Sequence, residues 1–218
     1  MRWSKMGDAA VLIRDIEPWS AVQVAEAIAV LDLPGVVETS AAYRTVGVYG
    51  RPGSDLLRTV SERWPEIEAH LRDAPVREPV LHVIPTCYAM GEDLVGAARE
   101  LAMTPAELVD AHTSTVYDCA AIGFCPGFPY LGPLPSRIAG LPRRDSPRLR
   151  VPAGSVAIAL DQTGIYPLER PGGWHLIGRT PLTIVDPDDD FFPITAGDQV
   201  RFVPVDELEY DRLKGQRL

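Results

Sequence analysis

The segment from Gly123 to Leu182 holds most of the residues that could do chemistry. Two of its stretches are dense in glycine and proline, GFCPGFPYLGPLP at 123–135 and VPAGSVAIALDQTGIYPLERPGGWHLIGRTPL at 151–182, and an arginine-rich link joins them. Glycine permits positive φ and proline fixes φ, so together they build rigid loops with exposed amides. Such loops suit the binding of an anion or a carbonyl group, although any single glycine or proline is more often part of a tight turn.

The link from Arg137 to Arg150 is basic within an acidic protein. It contains five arginines and one aspartate, a local charge of five minus one, or +4, in a chain of formal net charge −9. Guanidinium groups bind carboxylate or phosphate at two points, so the link predicts an anionic ligand or an acidic protein partner. Arg150, beside the loop at 151–154, is the first candidate for a substrate contact. A solvated surface loop is the alternative.

A second group of candidates lies in the sequence QTGIYP at 162–167. Gln162, Thr163 and Tyr166 carry amide and hydroxyl groups, which bind carbonyl or carboxylate oxygens through hydrogen bonds. We therefore predict that these three residues bind substrate. Turn-stabilising hydrogen bonds are an equally good interpretation of the same pattern.

Two further substrate-binding candidates follow in the next motifs. Trp174 comes directly after PGG, a loop that could present the indole as a flat wall against a ring. A buried core tryptophan is the alternative. Arg179 in GRTP could bind an anion, or it could form a structural ion pair with Asp186 or Glu169.

His112 is the candidate catalytic residue. It follows a predicted helix at 105–111, and a histidine side chain can act as general acid or base because it titrates near neutral pH. A capping histidine or a core histidine with satisfied hydrogen bonds is the alternative. Cys119 and Cys125 have no basic neighbour in sequence, so neither is a good candidate nucleophile.

No metal site is predicted. The four histidines are widely spaced, and the three cysteines form no C-x-x-C pair. The acidic run DPDDD at 186–190 lacks the alternation and the glycine of a calcium-binding loop, which favours a solvated turn.

Composition excludes several classes of protein. A hydrophobic fraction of 46% and a charged fraction of 23% are ordinary for a folded globular protein. The net charge of −9 disfavours nonspecific binding to nucleic acid or to an anionic membrane. No apolar run reaches the ~20 residues of a membrane helix, and the first residues lack the features of a secretory signal. A cytoplasmic location is therefore expected.

The first eighty or so residues predict the element order βαββαβ. Apolar runs at 9–13, 36–49 and 80–84 predict strands, with two strands in the second run, and those at 21–31 and 56–64 predict helices. This is the order of a ferredoxin-like domain, which we predict at residues 1–84.

The second half, residues 85–218, has a different texture. Helices are predicted at 93–101 and 105–111, the latter with Thr104 as N-cap and Pro105 at its first position. Short β-runs separated by glycine and proline follow, at 116–122, 155–159, 175–177, 182–185 and 199–203. Many short strands indicate an antiparallel barrel or sandwich, and a closed barrel would remove exposed edges. The fold class predicted is α+β.

Four motifs of the second half resemble, in this order, those of the family that contains the B subunit of bacterial 5-oxoprolinase, also labelled allophanate hydrolase subunit 1 or Kip-type kinase inhibitor. They are GFxPGFPYLG at 123–132, PRRxxPRxxVPAGSVAIA at 142–159, QTGIYP at 162–167 and PGGWxxIGRTP at 171–181. PTCY at 85–88 and the helix leading to His112 also look like elements of that family. The N-terminal half matches in layout more than in motif.

The resemblance implies a ferredoxin-like N-terminal domain and a cyclophilin-like β-barrel domain of the carboxyltransferase subdomain type. It implies an ATP-dependent hydrolysis of 5-oxo-L-proline to L-glutamate, carried out with two other subunits, one KipA-like (the C subunit) and one LamB/YcsF-like (the A subunit). The chain contains no P-loop motif G-x-x-x-x-G-K-[ST] and no kinase glycine loop. ATP is therefore expected as a co-substrate at a site that one of these partners shares or carries.

Two other functions fit the family labels. A Kip-type inhibitor would bind a sensor histidine kinase and would show no lactam hydrolysis in the presence of the KipA-like and LamB/YcsF-like partners. Allophanate hydrolysis would call for a Ser-Ser-Lys arrangement in a Gly/Ser-rich segment, and this chain has only Lys5 and Lys214 as lysines. The second alternative is therefore the weaker one.

Overall fold

The computed structural model describes all residues from Met1 to Leu218. They divide into two compact units, Met1–Glu78 and Pro79–Leu218. This division falls slightly before the boundary expected from the sequence. The strand Leu81–Thr86, expected as the last strand of the first domain, pairs in parallel with Gln199–Pro204 inside the second unit.

The first unit contains an antiparallel sheet and three helices. Its strands are β1 (Arg2–Met6), β2 (Ala10–Arg14), β3 (Val36–Ala42) and β4 (Thr45–Gly50), arranged in the order β1-β2-β4-β3, and its helices are α1 (Ala21–Val30), α2 (Leu56–Glu62) and α3 (Trp64–Asp73). Strand β1 was not expected from the sequence. Its burial pattern is mostly exposed or intermediate, so it gives no apolar run to detect.

Helix α1 follows from local sequence chemistry. The Ser20 hydroxyl accepts a hydrogen bond from the Gln23 amide at 3.2 Å, and the Gln23 side chain accepts one from the Ser20 amide at 2.8 Å. This reciprocal capping satisfies two amides that the first turn leaves free. Val24 and Ile28, one turn apart, are fully buried against the sheet residues Val46 and Val48 in the core of this unit.

The second unit is built on a larger, mostly antiparallel sheet. Its strands are β5 (Leu81–Thr86), β6 (Val116–Ile122), β7 (Pro129–Gly132), β9 (Ser155–Ala159), β10 (Gln162–Ile165), β12 (His175–Arg179) and β13 (Gln199–Pro204), in the order β5-β13-β6-β7-β10-β9-β12. A separate two-stranded ribbon joins β8 (Arg148–Val151) to β11 (Arg170–Gly172).

The closed barrel expected from the sequence is not formed. The strand ladders run from β5 at one end to β12 at the other, and a single bridge connects residues at the two ends. In this bridge the Cys87 amide donates to the Arg179 carbonyl at 2.8 Å, and the Arg179 amide donates back at 3.0 Å. The fold is therefore a mixed α+β fold with a large antiparallel sheet, not a barrel closed by continuous ladders.

Three helices complete the second unit: α4 (Leu94–Glu100), α5 (Pro105–Thr113) and α6 (Glu207–Leu213). The predicted start of α5 is confirmed, because Thr104 and Glu107 form a capping box with Pro105 at the first position. Helix α5 carries His112 into the main core of the unit. None of the six helices in the chain is both long and apolar enough to span a bilayer.

Candidate functional site

Strand β9 separates two hydrophobic clusters of the second unit. Val156 and Ile158 pack in the main core, whereas Ala157 and Ala159 pack in a second cluster. Successive side chains of a strand point to opposite faces, so the second cluster lies across the sheet from the main core. Four aromatic rings dominate it, and we call them the aromatic floor: Phe128, Tyr130, Tyr166 and Trp174.

The rings of the aromatic floor pack edge to face around Phe128. Its ring centroid lies 5.0 Å from that of Tyr130, 5.2 Å from Tyr166 and 5.6 Å from Trp174. Such pairs contribute roughly 0.5–1.5 kcal/mol each beyond the burial of their area. Three of the rings are buried and Tyr130 is half-buried, so the floor is a rigid platform with little exposed area of its own.

Phe124 is the exposed aromatic residue beside the floor. Its side chain is 57% exposed, and its ring centroid lies 5.4 Å from Phe128 and 6.2 Å from Tyr166. The Cys125 amide donates to the Gly123 carbonyl at 2.7 Å, which closes a three-residue turn with Phe124 at its centre and a φ of 64°. A bulky residue in this left-handed region is strained, and such strain clusters at functional sites.

Tyr166 occupies the centre of the candidate site. Burial raises the pKa of its phenol, while the nearby amide of Trp174 and the charge of Arg143 lower it in part. A Cβ added to Gly172 would lie 2.2 Å from the phenol oxygen, so the glycine of PGGW is required for β11 to pass this close. Tyr166 is only 2% exposed, and its hydroxyl interacts with the Trp174 backbone amide but donates to no protein acceptor.

The arginine-rich link divides into structural and free side chains. Arg144 and Arg148 bind the buried carboxylate of Asp93, and Arg137 pairs with Asp110 at 3.2 Å on the surface. Arg143 forms no hydrogen bond and no ion pair, and its charge acts on Tyr166. The arginines of this link, close together in sequence, therefore have different roles.

Asp93 anchors this link to the sheet. Its carboxylate accepts hydrogen bonds from Arg144 at 2.8 Å, from Arg148 at 2.8 and 2.9 Å, and from the Leu176 amide at 2.8 Å. Burial alone would raise the pKa of Asp93, but the bonds from Arg148 and Leu176 and the two arginine charges lower it overall. The loop before β8 is thereby fixed against the start of β12.

Arg150 and Arg179 take different positions from each other. Arg150 projects into solvent, with its side chain 82% exposed and a single ion pair to Glu169 at 3.7 Å. Arg179 donates through Nε to the Ala153 carbonyl at 3.0 Å, which is a loop contact. The alternative ion pair of Arg179 with Glu169 or Asp186 is wrong, because those carboxylates bind Arg150 and Arg217.

The structure places Thr163 and His112 in one buried hydrogen-bonded chain. The Thr163 hydroxyl donates to the Ala157 carbonyl at 3.0 Å, so it must accept from Nε2 of His112, 2.8 Å away. Nδ1 of His112 therefore accepts from the Tyr88 hydroxyl at 2.7 Å. Burial lowers the pKa of His112 to about 3, so the imidazole is neutral.

These contacts are the ones expected of a core histidine with satisfied hydrogen bonds. His112 and Thr163 have no exposed surface, and any proton transfer to a ligand would have to pass through Tyr88 or Thr163. The catalytic role of His112 stays a prediction. Gln162 is half-buried at the first position of β10, two strands away from β12, and its substrate contact also stays a prediction.

Burial favours the thiol form of two cysteines, Cys119 and Cys125. Burial raises the pKa of Cys119 to about 12, and it raises the pKa of Cys125 against the opposing charge of Arg170. No group of histidine, cysteine, aspartate or glutamate side chains is arranged to hold a metal ion. In the run DPDDD, Asp186 and Asp189 bind Arg217 at 2.7 and 2.6 Å.

Three residues that matter for the site were not predicted from the sequence. Asp93 stands at a helix start, more than fifty positions from the arginines that it binds, and no local pattern links them. Arg143 was part of the basic link, but nothing in the sequence separates it from its neighbours. Phe124 carried a signal: it is a large apolar residue inside a loop of glycine and proline, where no strand or helix needs it.

The comparisons with known proteins agree on one family. The family described as carboxyltransferase domain, subdomain C and D, matches residues 1–193. A Bacillus subtilis (strain 168) protein, named as the B subunit of 5-oxoprolinase, is 37% identical over 96% of this chain and 95% of its own length. An Escherichia coli O157:H7 protein of the same name is 42% identical over 81% of this chain and 82% of its own length.

A solved structure gives the same answer for the fold. The crystal structure of TTHA0988 superposes with a TM-score of 0.74 at 33% identity, over 90% of this chain and 40% of that chain. This chain thus spans less than half the length of TTHA0988. The sequence motifs, the fold and the full-length relatives lead to one conclusion: the chain belongs to the carboxyltransferase subdomain C and D family, with the proteins named as the B subunit of 5-oxoprolinase.

Proposed function

We propose that this chain is the B subunit of an ATP-dependent 5-oxoprolinase, which hydrolyses 5-oxo-L-proline to L-glutamate together with two other subunits. The observation that carries the proposal is the identity to the Bacillus subtilis B subunit of 5-oxoprolinase along almost the whole of both chains. Neither the kinase-inhibitor function nor allophanate hydrolysis has a comparable observation in its favour.

The chemistry explains why such an enzyme uses ATP. A lactam amide is a poor electrophile, and ring closure competes with its hydrolysis. Phosphorylation of the lactam oxygen would give an activated intermediate that water can attack. Because this chain has no recognisable nucleotide-binding loop, we propose that the ATP site is shared with, or carried by, one of the other subunits.

The predicted binding residues have different roles in the proposed enzyme. Tyr166 contacts the ligand through its hydroxyl, and Trp174 supports it from below as part of the aromatic floor. Arg150 and Gln162 lie at accessible positions and contact substrate or another protein chain. Arg179 holds the loop of Ala153.

Thr163 and His112 act from inside the unit in the proposed enzyme. Thr163 fixes the strand that presents QTGIYP, and His112 fixes Thr163 through the hydrogen bond to its hydroxyl. Both act as positioning residues in this proposal.

The domain assignment belongs to the same proposal. We propose that residues 1–84 form a ferredoxin-like domain and residues 85–218 a cyclophilin-like domain of the carboxyltransferase type. The antiparallel sheet of each unit supports this. We further propose a KipA-like protein and a LamB/YcsF-like protein as the partners.

Reconstitution tests the proposed function. The purified chain is mixed with the candidate KipA-like and LamB/YcsF-like proteins from the same source, and glutamate and ADP are measured after addition of 5-oxoproline and ATP. We expect both products in equal amounts, and neither when any one of the three proteins is left out. If the three proteins, correctly folded and mixed together, give no glutamate, the proposed function is wrong.

A further inference from the structure

Three groups beside the aromatic floor have hydrogen-bonding capacity that the protein does not use. The Tyr166 hydroxyl has no acceptor, and the Arg143 guanidinium has neither a hydrogen bond nor an ion pair. Arg170 donates through Nη1 to the carbonyl of Glu169 at 2.9 Å and forms no ion pair. The Tyr166 phenol oxygen lies against Gly172 of β11, and Arg170 stands two residues earlier on the same strand. The Arg144 amide donates to the Gly173 carbonyl at 2.8 Å, which places the neighbouring Arg143 beside the end of that strand. The charges of Arg143 and Arg170 also act on Tyr166 and on Cys125.

The acidic side chains nearest in sequence do not neutralise these arginines. Glu169 directs its carboxylate at Arg150, 3.7 Å away, and only its backbone contacts Arg170. Asp145 forms no ion pair with Arg143. Two cationic groups and a hydroxyl donor thus remain unpaired beside a buried aromatic platform, which is the donor set for an oxyanion.

The exposed ring of Phe124 extends this donor set with an apolar wall. Its centroid lies 6.2 Å from the ring of Tyr166, so a ligand bound at the Tyr166 hydroxyl would meet the Phe124 face or edge. The left-handed φ of 64° costs energy, and the ring that it places beside the floor stays 57% exposed in spite of its contacts with Phe128 and Tyr166. A ligand that packs against the exposed ring would offset the energetic cost of this backbone conformation.

We propose that Arg143, Arg170 and the Tyr166 hydroxyl bind the carboxylate of a small cyclic amide, whose ring lies against Phe124. The identity of the amide as 5-oxoproline rests on the proposed function, whereas the donor set does not. A nucleotide phosphate is the other oxyanion that this enzyme would meet. The small apolar contact area, one phenylalanine ring, favours the five-membered lactam.

The test uses the reconstituted complex and the Michaelis constant for 5-oxoproline. Removal of a charged hydrogen-bond donor weakens binding by about 10- to 100-fold. We expect Arg143→Ala to raise KM for 5-oxoproline by this factor and to leave KM for ATP unchanged. Arg137→Ala is the matched control, because it removes an arginine of the same link that pairs on the surface with Asp110.

Two smaller changes refine the test without removing charge. Tyr166→Phe deletes only the hydroxyl, and Phe124→Ala deletes only the exposed ring. Each should raise KM for 5-oxoproline by about 3- to 10-fold. The neutral lactam 2-pyrrolidinone, used as a competitive inhibitor, should bind equally well to wild type and Arg143→Ala, since it has no carboxylate.

The outcomes separate this inference from the proposed function. If the complex turns over and Arg143→Ala leaves KM for 5-oxoproline unchanged, or raises KM for ATP instead, the carboxylate site is wrong and the proposed function stands. If the complex does not turn over, calorimetric titration of the chain with 5-oxoproline decides. Binding that is lost in Arg143→Ala but kept in Arg137→Ala supports the site, and no binding by wild type overturns it.

Discussion

The polar groups of the second unit lie in two regions that differ in how fully their hydrogen bonds are satisfied within the protein. In the interior, the Asp93 carboxylate and the His112 imidazole use both oxygens and both ring nitrogens. Beside the aromatic floor, the Tyr166 hydroxyl has no protein acceptor and the Arg143 guanidinium has no protein partner. The exception in the interior is Nε of Arg144, which is buried without an acceptor.

This difference helps to tell a structural residue from a binding residue when both are conspicuous in sequence. A buried polar group without a partner lowers the stability of the fold by about 1–3 kcal/mol, so most fully buried polar groups of this unit have partners, with Nε of Arg144 as the exception. A group that keeps some solvent loses little by remaining free, and it can then be used by a ligand. By this criterion His112 has the contacts of a core residue, whereas Arg143 keeps hydrogen-bonding capacity that a ligand could use.

Substitution of Asp93 tests the interior region most severely. Asp93→Ala would leave Arg144 and Arg148 close together without their shared carboxylate, and loss of one member of a buried ionic cluster costs about 3 kcal/mol or more. We expect the free energy of unfolding, measured in urea, to fall by that amount. Asp110→Ala is the control, since its pair with Arg137 is exposed and contributes at most about 0.5 kcal/mol.

The contrast between a buried ionic cluster and a surface ion pair would not hold if Asp93 and Asp110 contributed equally to stability. Equal losses for Asp93→Ala and Asp110→Ala would mean that the buried cluster adds nothing beyond a surface pair. A loss for Asp93→Ala that is accompanied by a changed urea dependence (m-value) would instead report a less compact native or denatured state.

The pH dependence of stability tests the neutral state of His112. Its pKa is about 3 in the folded chain and 6.5 as the ordinary value, so the unfolded chain binds the extra proton between these limits. The contribution of the neutral imidazole to stability is fully present above pH 6.5. It decreases as the pH falls below 6.5, by up to about 1.4 kcal/mol per pH unit. Between about pH 7.5 and pH 4.5 we expect a loss of about 2–3 kcal/mol.

His112→Gln isolates this contribution, because glutamine can still hydrogen-bond but cannot be protonated. The variant should be less stable than wild type at pH 7.5, and its stability should vary much less between pH 7.5 and 4.5. The lowered pKa of Asp93 affects stability only at lower pH, below its ordinary value of 3.8. An unchanged pH profile in His112→Gln would contradict a buried neutral imidazole.

Two tyrosines allow the same atom to be removed from each region. Tyr88→Phe deletes the donor to Nδ1 of His112 and leaves a buried acceptor unpaired, which should cost about 1–3 kcal/mol of unfolding free energy. Tyr166→Phe deletes a hydroxyl that donates to no protein acceptor and interacts only with the Trp174 amide, so it should cost less, about 1 kcal/mol or less. Thermal or urea unfolding of the two variants side by side makes the measurement, and a reversed order would remove the distinction between the regions.

The sequence was informative about the fold where the signal was local. The apolar run at 21–31 placed α1, and Thr104 as N-cap with Pro105 at the first helical position placed α5. The strand Leu81–Thr86, expected as the last strand of the first domain, instead pairs in parallel with Gln199–Pro204, which comes more than a hundred residues later. No periodicity in the strand itself reveals which sheet it joins.

The site was predictable in its region but not in its members. The density of glycine, proline and arginine located it between residues 123 and 182. The sequence does not separate Arg150 from Arg143, because the difference between them is created by Glu169, which pairs with Arg150, and by Tyr166, on which the charge of Arg143 acts. Both of these residues lie outside the link, and so does Asp93, which binds Arg144 and Arg148.

The smallest expected effect concerns the backbone of Phe124. Asparagine tolerates a left-handed φ better than other side chains with a Cβ, whereas alanine keeps the strain, so Phe124→Asn and Phe124→Ala differ mainly in backbone energy. We expect the asparagine variant to be more stable than the alanine variant by up to about 1 kcal/mol, while both raise KM for 5-oxoproline. Chemical denaturation of the two proteins measures the difference. Equal stability would mean that the turn at Phe124 is not strained, and the exposed ring would then need no ligand to explain it.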